Sequence, residues 1–342
     1  MYYNLKSIYF YVLIVFVIIF MLILFGRDNQ LNFSPRVNKL IYPNPYPDLI
    51  ENLTFNFNES GFPFYVVPNI VHYIMIDFKS IGFTQFLSLL SVMKNHKPDL
   101  IYIHCNCHQL SGDYYERTLR VVNKTNTQLI VRTIEKPTKI FGQKLSKKWE
   151  NWDLSDFIRT QVLMEFGGIY LDSDMYVVQS LDPFRKYEMT LEWEGKGDIL
   201  TGILIANKNA RFLKIMYNSF RKYEAKKYGW NGGIMPSRLL KKQPNLVHRV
   251  KNEFGSRSQN LCPKIYFSYY KNWSKEYFTI HLSIRGNEIS LQNYCFKRMR
   301  GFGIRKLNNL RTFYNESIVR QLNVTFGEMC RNVYDFEKEM II

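Results

Sequence analysis

Apolar residues are distributed along the chain in two different ways. The 18 residues from Ile8 to Phe25 are all apolar, and a helix of that length would span about 27 Å, enough for a thin bilayer. Residues 27–65 show no such pattern and contain five prolines, which is typical of a stem or linker. We therefore predict a tail at 1–7, a transmembrane helix at 8–25, a stem at 26–65 and a folded body at 66–342.

The body alternates between short apolar runs and helically spaced apolar positions. Strands are predicted at 67–76, 100–104 and 128–134, with helices at 83–97 and 113–124 between them, and this order is typical of right-handed crossovers on a parallel sheet. A helix at 154–166 ends at Gly167–Gly168 and is followed by an apolar run at 169–178. Further apolar segments lie at 199–205 and 278–284, with an amphipathic helix predicted at 211–228. The pattern predicts an α/β body with a mixed, mostly parallel sheet, which binds ligands at the carboxyl ends of its strands.

The first apolar run has two interpretations. A cleaved signal peptide has a shorter apolar region, of about 7–15 residues, followed by small residues at the cleavage site. Here the bulky segment Phe20–Phe25 continues directly into Gly26 and Arg27, so we favour an uncleaved anchor. Lys6 lies before the run, whereas Arg27 after it is offset by Asp28, which predicts a cytosolic tail and a lumenal body. Seven glycosylation sequons agree with a lumenal body; they begin at Asn32, Asn52, Asn58, Asn123, Asn272, Asn315 and Asn323.

Composition and charge restrict the function further. The chain is 46% hydrophobic and 22% charged, and its formal net charge is +17; these values exclude a disordered chain or a coiled coil. The charge indicates an anionic partner such as phosphate groups, nucleic acid or an acidic membrane, or simply a basic solvated surface. Because no five consecutive residues are basic, we expect no nucleic-acid partner.

The five cysteines, at 105, 107, 262, 295 and 330, allow at most two disulfide bonds and leave one thiol. Cys105 and Cys107 have the spacing of metal ligands, but no second pair with zinc spacing follows. We therefore expect these two residues to form a disulfide or to be buried.

The chemistry is expected around two acidic residues that follow a buried strand. On a strand, Asp172 and Asp174 would point to the same side, and two adjacent carboxylates favour a shared hard cation such as Mg²⁺ or Mn²⁺. Such an ion binds a diphosphate and neutralises the charge that develops as it leaves. Asp156 and Arg159 share a face of the preceding helix, which the Gly-Gly turn would bring close to the acids. The alternative is a pair of solvated loop acids, which is disfavoured by the apolar runs on both sides.

The block from Asp156 to Asp174 resembles the donor-binding segment of glycosyltransferase family 32, which contains α-1,4-galactosyl- and α-1,4-N-acetylglucosaminyltransferases. The shared pattern is Ser-Asp, Arg three residues after the Asp, and then Gly-Gly-x-Tyr-x-Asp-x-Asp. The resemblance implies a GT-A-type fold and a type II Golgi membrane enzyme. It also implies Mn²⁺ (or Mg²⁺) and transfer of a hexose or N-acetylhexosamine from a UDP-sugar to a glycan on lipid or protein, with retention of anomeric configuration.

The resemblance also implies roles for individual residues. Asp174 would bind the metal directly, and Asp172 would bridge ribose and metal through water. His281, which follows an apolar strand, would complete the metal site, although a buried structural histidine is the commoner interpretation. The implied donor-binding residues are Asp156, Arg159, Tyr170, Asp172 and Asp174.

The sequence departs from the family at several positions. Met75 replaces a tryptophan that can stack on the uracil, Gly233 stands where relatives have proline, and Arg285 lies where they have an aromatic or lysine cluster. The acids at 192, 194 and 198 lie in a loop-like stretch that could reach the sugar, but we assign none of them as a nucleophile.

Two other functions remain to be weighed. A haloacid-dehalogenase-like phosphatase is disfavoured, because its motif requires Thr or Val at the position of Tyr176 and lies on the first strand of the domain. A membrane-anchored, non-catalytic carbohydrate-binding protein is the alternative to the transferase. It is favoured by the departures from the family at Met75, Gly233 and Arg285. It is disfavoured because all the acids and the arginine of the shared pattern are present.

Overall fold

The computed structural model describes residues 57–195, 197–283 and 316–341. The predicted tail and anchor, most of the predicted stem and Arg285 lie outside the described residues. Within the described part of the chain, no helix combines the length and the apolar character needed to cross a bilayer.

The order of strands and helices in the first half of the body confirms the prediction. The strands are β1 Ile70–Met75, β2 Leu100–Cys105, β3 Gln128–Thr133, β4 Lys139–Ile140, β5 Gln143–Lys144, β6 Gly168–Leu171, β7 Met175–Val177, β8 Met189–Glu192, β9 Leu200–Ala206, β10 His248–Val250 and β11 Thr279–His281. The helices are α1 Phe57–Ser60, α2 Phe83–Asn95, α3 Asp113–Val122, α4 Glu150–Phe166, α5 Arg211–Ser219, α6 Met235–Leu240, α7 Ser258–Tyr266, α8 Trp273–Glu276, α9 Glu316–Gln321 and α10 Thr325–Ile341.

Seven strands form the central sheet in the order β10-β8-β9-β6-β1-β2-β3. Strands β1, β2, β3 and β6 run parallel, β9 is antiparallel to both β6 and β8, and β10 is parallel to β8. This mixed, mostly parallel sheet confirms the predicted α/β architecture. Beside it, β7 and β11 form a separate antiparallel pair.

Both faces of the sheet are covered, because its central strands carry apolar side chains in both directions. On one face, Tyr73 of β1 packs in a core with Phe86 of α2 and Tyr334 of α10. On the other face, Ile74 of β1 packs in a core with Phe157 of α4. Helix α4, which carries two of the predicted site residues, is therefore held rigidly against the sheet.

The last residues of the predicted stem contact the body. The Asn58 side chain donates a hydrogen bond to the carbonyl of Asn245 over 3.1 Å, and the Phe62 amide donates to the carbonyl of Lys186 over 2.8 Å. Phe62 is buried in the core.

The structure corrects two predicted elements. The apolar run at 169–178 is interrupted: β6 ends at Leu171, and the amide of Met175 donates to the carbonyl of Asp172 over 2.9 Å, which closes a turn. The amphipathic helix predicted at 211–228 ends at Ser219. The chain then becomes extended at Tyr223, whose hydroxyl donates to the Asp153 carboxylate over 2.6 Å, so a tertiary contact prevails over helical periodicity.

The cysteines agree with the sequence prediction. Cys105 and Cys107 form a disulfide with each other, Cys262 is also disulfide-bonded, and Cys330 is a buried free thiol.

Candidate functional site

The Asp-x-Asp acids, Asp172 and Asp174, lie in the turn between β6 and β7, at the carboxyl end of a central strand. On one side β6 pairs with the parallel strand β1, and on the other with the antiparallel strand β9. The amide of Asp172 donates to the carbonyl of Gly202 over 2.7 Å, which fixes the turn to β9. Both acids were predicted to lie on a strand, and this prediction is wrong, because β6 ends at Leu171 and β7 begins at Met175. The turn nevertheless directs both carboxylates toward the same point.

The imidazole of His281 lies next to both carboxylates. Nε2 of His281 lies 3.0 Å from Oδ1 of Asp174 and 3.9 Å from Oδ2 of Asp172. One ligand atom from each of the three residues lies within 4.8 Å of the others. The acids and the histidine are about a hundred residues apart in sequence, and the structure brings them together as the resemblance implied.

Pairing of β11 with β7 positions the histidine. In this antiparallel pair His281 lies opposite Met175, and the amide of Leu282 donates to the carbonyl of Asp174 over 3.0 Å. On its other side the amide of His281 donates to the carbonyl of Gly255 over 3.2 Å. The imidazole is thus held by backbone hydrogen bonds on both flanks.

The electrostatics of this group suit a cation. Burial by itself lowers the pKa of His281, but the charge and hydrogen bond of Asp174 and the charge of Asp172 outweigh it and raise the pKa to about 9. In the absence of a metal a proton therefore resides on the imidazole and partly neutralises the two carboxylates. Two carboxylates and one imidazole on a partly exposed turn fit a hard or borderline divalent ion such as Mn²⁺ or Mg²⁺.

Arg159 connects this group to α4. Its guanidinium lies 3.0 Å from Oδ1 of Asp156 and 3.5 Å from Oδ1 of Asp172, and it also donates to the hydroxyl of Thr201 over 3.1 Å. One arginine therefore spans two carboxylates from different elements and is tied to β9.

Tyr170 lies under the same guanidinium. Its ring centre is 4.4 Å from the guanidinium carbon of Arg159, and its hydroxyl donates to Oδ1 of Asp172 over 2.5 Å. The ring is buried. Tyr170 thus supports Arg159 and Asp172 from below, and does not form an open pocket wall in this structure.

Asp156 faces the 229–236 segment, which contains Gly233. Removal from water raises the pKa of Asp156 to about 6; the charge of Arg159 opposes this shift and that of Asp172 adds to it. A Cβ atom on Gly232 would overlap the Asp156 carboxylate. Only glycine permits this approach of the 229–236 segment to α4.

The structure also locates the acids that were considered as nucleophiles. Glu192 is 1% exposed and accepts a hydrogen bond from the amide of Ser256 over 3.2 Å, while burial raises its pKa to about 7. Glu194 forms an ion pair with Arg257 over 3.1 Å. Because Glu192 is buried and Glu194 is paired with Arg257, we still assign no nucleophile.

The structure places Met75 away from solvent and adds two residues of β9 to the site. Met75 has no exposed surface, so it offers no face to a base. Thr201 and Gly202 on β9 were not singled out, although Thr201 binds Arg159 and a Cβ on Gly202 would lie 3.0 Å from Oδ2 of Asp172. Their strand pairs with β6 through long-range contacts, which leave no local sequence signal.

Comparison with known proteins agrees with the motif. Residues 91–191 match the family model described as "Glycosyltransferase sugar-binding region containing DXD motif". This match confirms the resemblance to the DXD-containing glycosyltransferases that the block from Asp156 to Asp174 predicts.

Two curated relatives are similar over part of the chain. "Glucan organizing enzyme 1" of Cryptococcus neoformans var. grubii is 24% identical over 200 residues, covering 53% of this chain and 52% of that protein. An uncharacterized Arabidopsis thaliana protein, At4g19900, is 26% identical over 174 residues, covering 48% of this chain and 26% of its own length. The match therefore spans about half of the first relative and about a quarter of the second.

Solved structures show remote similarity. The glycosyltransferase GlyE of Streptococcus pneumoniae is 13% identical, with a TM-score of 0.42 over 80% of this chain and 62% of its own. The galactosyltransferase LgtC, in complex with donor and acceptor sugar analogs, is 14% identical, with a TM-score of 0.40 over 74% of this chain and 100% of its own.

Proposed function

We propose that the protein is a metal-dependent retaining glycosyltransferase. It transfers a hexose or N-acetylhexosamine from a UDP-sugar to a glycan carried by a lipid or a protein. The observation that carries the proposal is the convergence of Asp172, Asp174 and His281 beside the Asp156–Arg159 pair. Four of these five residues lie in the segment that matches the DXD family model.

The residues act by binding and orienting the donor. Asp172, Asp174 and His281 would hold Mn²⁺ or Mg²⁺, which supplies positive charge to the leaving diphosphate. Arg159 contacts both Asp156 and Asp172 and stabilises their negative charges. Asp156, whose pKa is raised to about 6, is ionised at neutral pH and accepts hydrogen bonds from hydroxyl groups of the donor sugar.

The proposal is tested by measuring UDP release by the full-length chain with a panel of UDP-sugars, with and without Mn²⁺. We expect release that depends on the metal in the wild type and is lost in Asp174→Ala. Asp113→Ala is the matched control, because Asp113 lies on α3 with its side chain 75% exposed. Equal rates for wild type and Asp174→Ala, or no release by either, would reject the proposal in favour of a non-catalytic carbohydrate-binding protein.

We also propose that residues 8–25 anchor the chain as a single-pass type II protein of the Golgi membrane, with the body in the lumen. The apolar run and the sequons other than that of the buried Asn58 support this placement. Treatment of the cell-expressed protein with an N-glycosidase should increase its electrophoretic mobility. An unchanged mobility would contradict a lumenal body.

A further inference from the structure

A cluster of exposed aromatic rings extends from the candidate site along α4. Trp152 is 40% exposed and Tyr228 is 60% exposed, and both contact Trp149. The ring centres are 5.7 Å apart for Trp149 and Trp152, and 4.6 Å apart for Trp149 and Tyr228. We call these three residues the aromatic surface. Contiguous exposed aromatic groups on a soluble domain commonly mark a binding surface.

The aromatic surface is continuous with the donor-binding residues. Trp152, Asp156 and Arg159 are spaced four and three residues apart, so they occupy one face of α4. Trp149 immediately precedes that helix. Side chains four residues apart on a helix are about 6 Å from each other, which places Trp152 one turn from Asp156. The segment that carries Tyr228 leads to Gly232, which lies against the same carboxylate.

A buried polar network fixes the two halves of the aromatic surface relative to each other. Asp153 is 5% exposed and accepts hydrogen bonds from the hydroxyl of Tyr223 over 2.6 Å and from the Asn231 amide group over 3.4 Å. The Asn231 side chain in turn accepts from the amide of Glu224 over 2.9 Å. The segment from 223 to 231 is thus tied to the first turn of α4, and the rings are presented by a preorganised support.

The chemistry of the surroundings selects the class of ligand. The ammonium group of Lys148 lies 4.5 Å from the ring centre of Trp149, and that of Lys227 lies 4.6 Å from the ring centre of the neighbouring Trp230. Aromatic faces bordered by hydrogen-bond donors suit a molecule with apolar C–H faces and a hydroxyl-rich edge, as a pyranose has. A lipid chain would leave these donors without partners.

We propose that the aromatic surface binds the acceptor glycan by stacking sugar rings next to the one that receives the transferred residue. This inference rests on the proposed function, since it places the acceptor beside the donor-binding residues. The three rings offer more than one position for stacking. The proposal therefore predicts a preference for oligosaccharide acceptors over monosaccharides.

The test uses the full-length protein and two separate readouts. The first is hydrolysis of a UDP-sugar without acceptor. The second is binding to an array of immobilised hexose and N-acetylhexosamine oligosaccharides, followed by the acceptor KM for any glycan that is bound. The variants are Trp152→Ala, Tyr228→Ala and the double variant, with Trp152→Phe and Tyr228→Phe as conservative replacements. Tyr269→Ala serves as control, because Tyr269 is 56% exposed but lies outside the aromatic surface.

We expect each alanine variant to weaken glycan binding and to raise the acceptor KM by about tenfold. The phenylalanine variants and Tyr269→Ala should stay within about twofold of wild type in both measurements. UDP-sugar hydrolysis without acceptor should be unchanged in all variants. Ring-dependent glycan binding without UDP-sugar hydrolysis would preserve the aromatic surface as a glycan-binding surface and reject the proposed function. If the double variant hydrolyses the UDP-sugar but retains full glycan binding and an unchanged acceptor KM, the inference is rejected and the proposed function stands. A folded wild-type protein that binds no oligosaccharide on the array would also overturn the inference.

Discussion

Acidification is expected to destabilise the body through a buried histidine pair on the central strands. His72 of β1 and His104 of β2 have no exposed surface. Nδ1 of His72 lies 3.0 Å from Nε2 of His104, and Nε2 of His72 lies 2.8 Å from the carbonyl of Gly167. Because a carbonyl only accepts, Nε2 of His72 carries the proton, and Nδ1 accepts from His104. Protonation of His72 would replace this hydrogen bond with two facing donors.

The size and sign of the effect follow from the pKa values. Burial lowers the pKa of His72 from 6.5 to about 4, and burial together with the charge of His72 lowers that of His104. Below pH 6.5 the unfolded chain takes up a proton that the folded protein excludes until about pH 4. The contribution of His72 to stability is therefore complete above pH 6.5 and is lost as the pH falls to about 4. At 1.36 kcal/mol per pH unit it amounts to about 3 kcal/mol.

The assay is urea unfolding of wild type and His72→Gln, followed by tryptophan fluorescence at pH 7 and at pH 4.5. His72→Gln should be less stable than wild type at pH 7, and most of that difference should disappear at pH 4.5. His108→Gln is the control; because His108 is exposed, its unfolding free energy should follow that of wild type at both pH values. A difference between wild type and His72→Gln that stays constant from pH 7 to pH 4.5 would refute the reasoning.

Two further predictions concern the site and the packing of the last helix. Gly232→Ala should weaken UDP-sugar binding by about tenfold or more, because the added Cβ displaces the Asp156 carboxylate. Gly233→Ala is the control and should bind UDP-sugar normally, because the nearest atom is 3.7 Å from the added Cβ. Equal effects of the two substitutions in calorimetric titrations would contradict this prediction. Arg117→Met should lower the free energy of unfolding by about 3–5 kcal/mol, because it leaves the buried Glu337 without its ion-pair partner. In the wild type the Arg117 guanidinium donates to Oε1 of Glu337 over 2.7 Å. A loss below about 1 kcal/mol in urea unfolding would show that this ion pair does not stabilise the fold.

The sequence predicted the elements whose pattern is local. Strands β1 and β2 were found because both faces of each strand are buried, which gives continuous apolar runs. Strand β3 lies at the sheet edge and is only partly buried, but it was found from its short apolar run. The end of α4 was also found. Gly167, with a φ of 68°, caps that helix, in a conformation that glycine adopts without strain.

Long-range contacts explain the errors. The break between β6 and β7 falls at the polar residues Asp172–Asp174, where a local hydrogen bond from Met175 closes a turn and a bond to Gly202 on a later strand fixes it. The helix that starts at Arg211 ends early because Tyr223 is drawn to Asp153. Helical periodicity continues through this second break, so only the fold reveals it.

The candidate site was predictable to the extent that its spacing is local. The acids, Arg159 and Tyr170 lie in one block, and the structure groups them as the motif implies. His281 could be suggested only by resemblance, because its contact with Asp174 depends on the pairing of β11 with β7.

That pairing has a consequence for how the protein matures. A ribosome-bound chain that has emerged only as far as residue 250 already possesses both acids and the arginine, but it lacks the imidazole that completes the cluster. The cluster therefore assembles only after strand β11 has been synthesised and has docked. Until then the nascent polypeptide lacks one of the three side chains that converge in this cluster, so the cluster is complete only when most of the body has been synthesised.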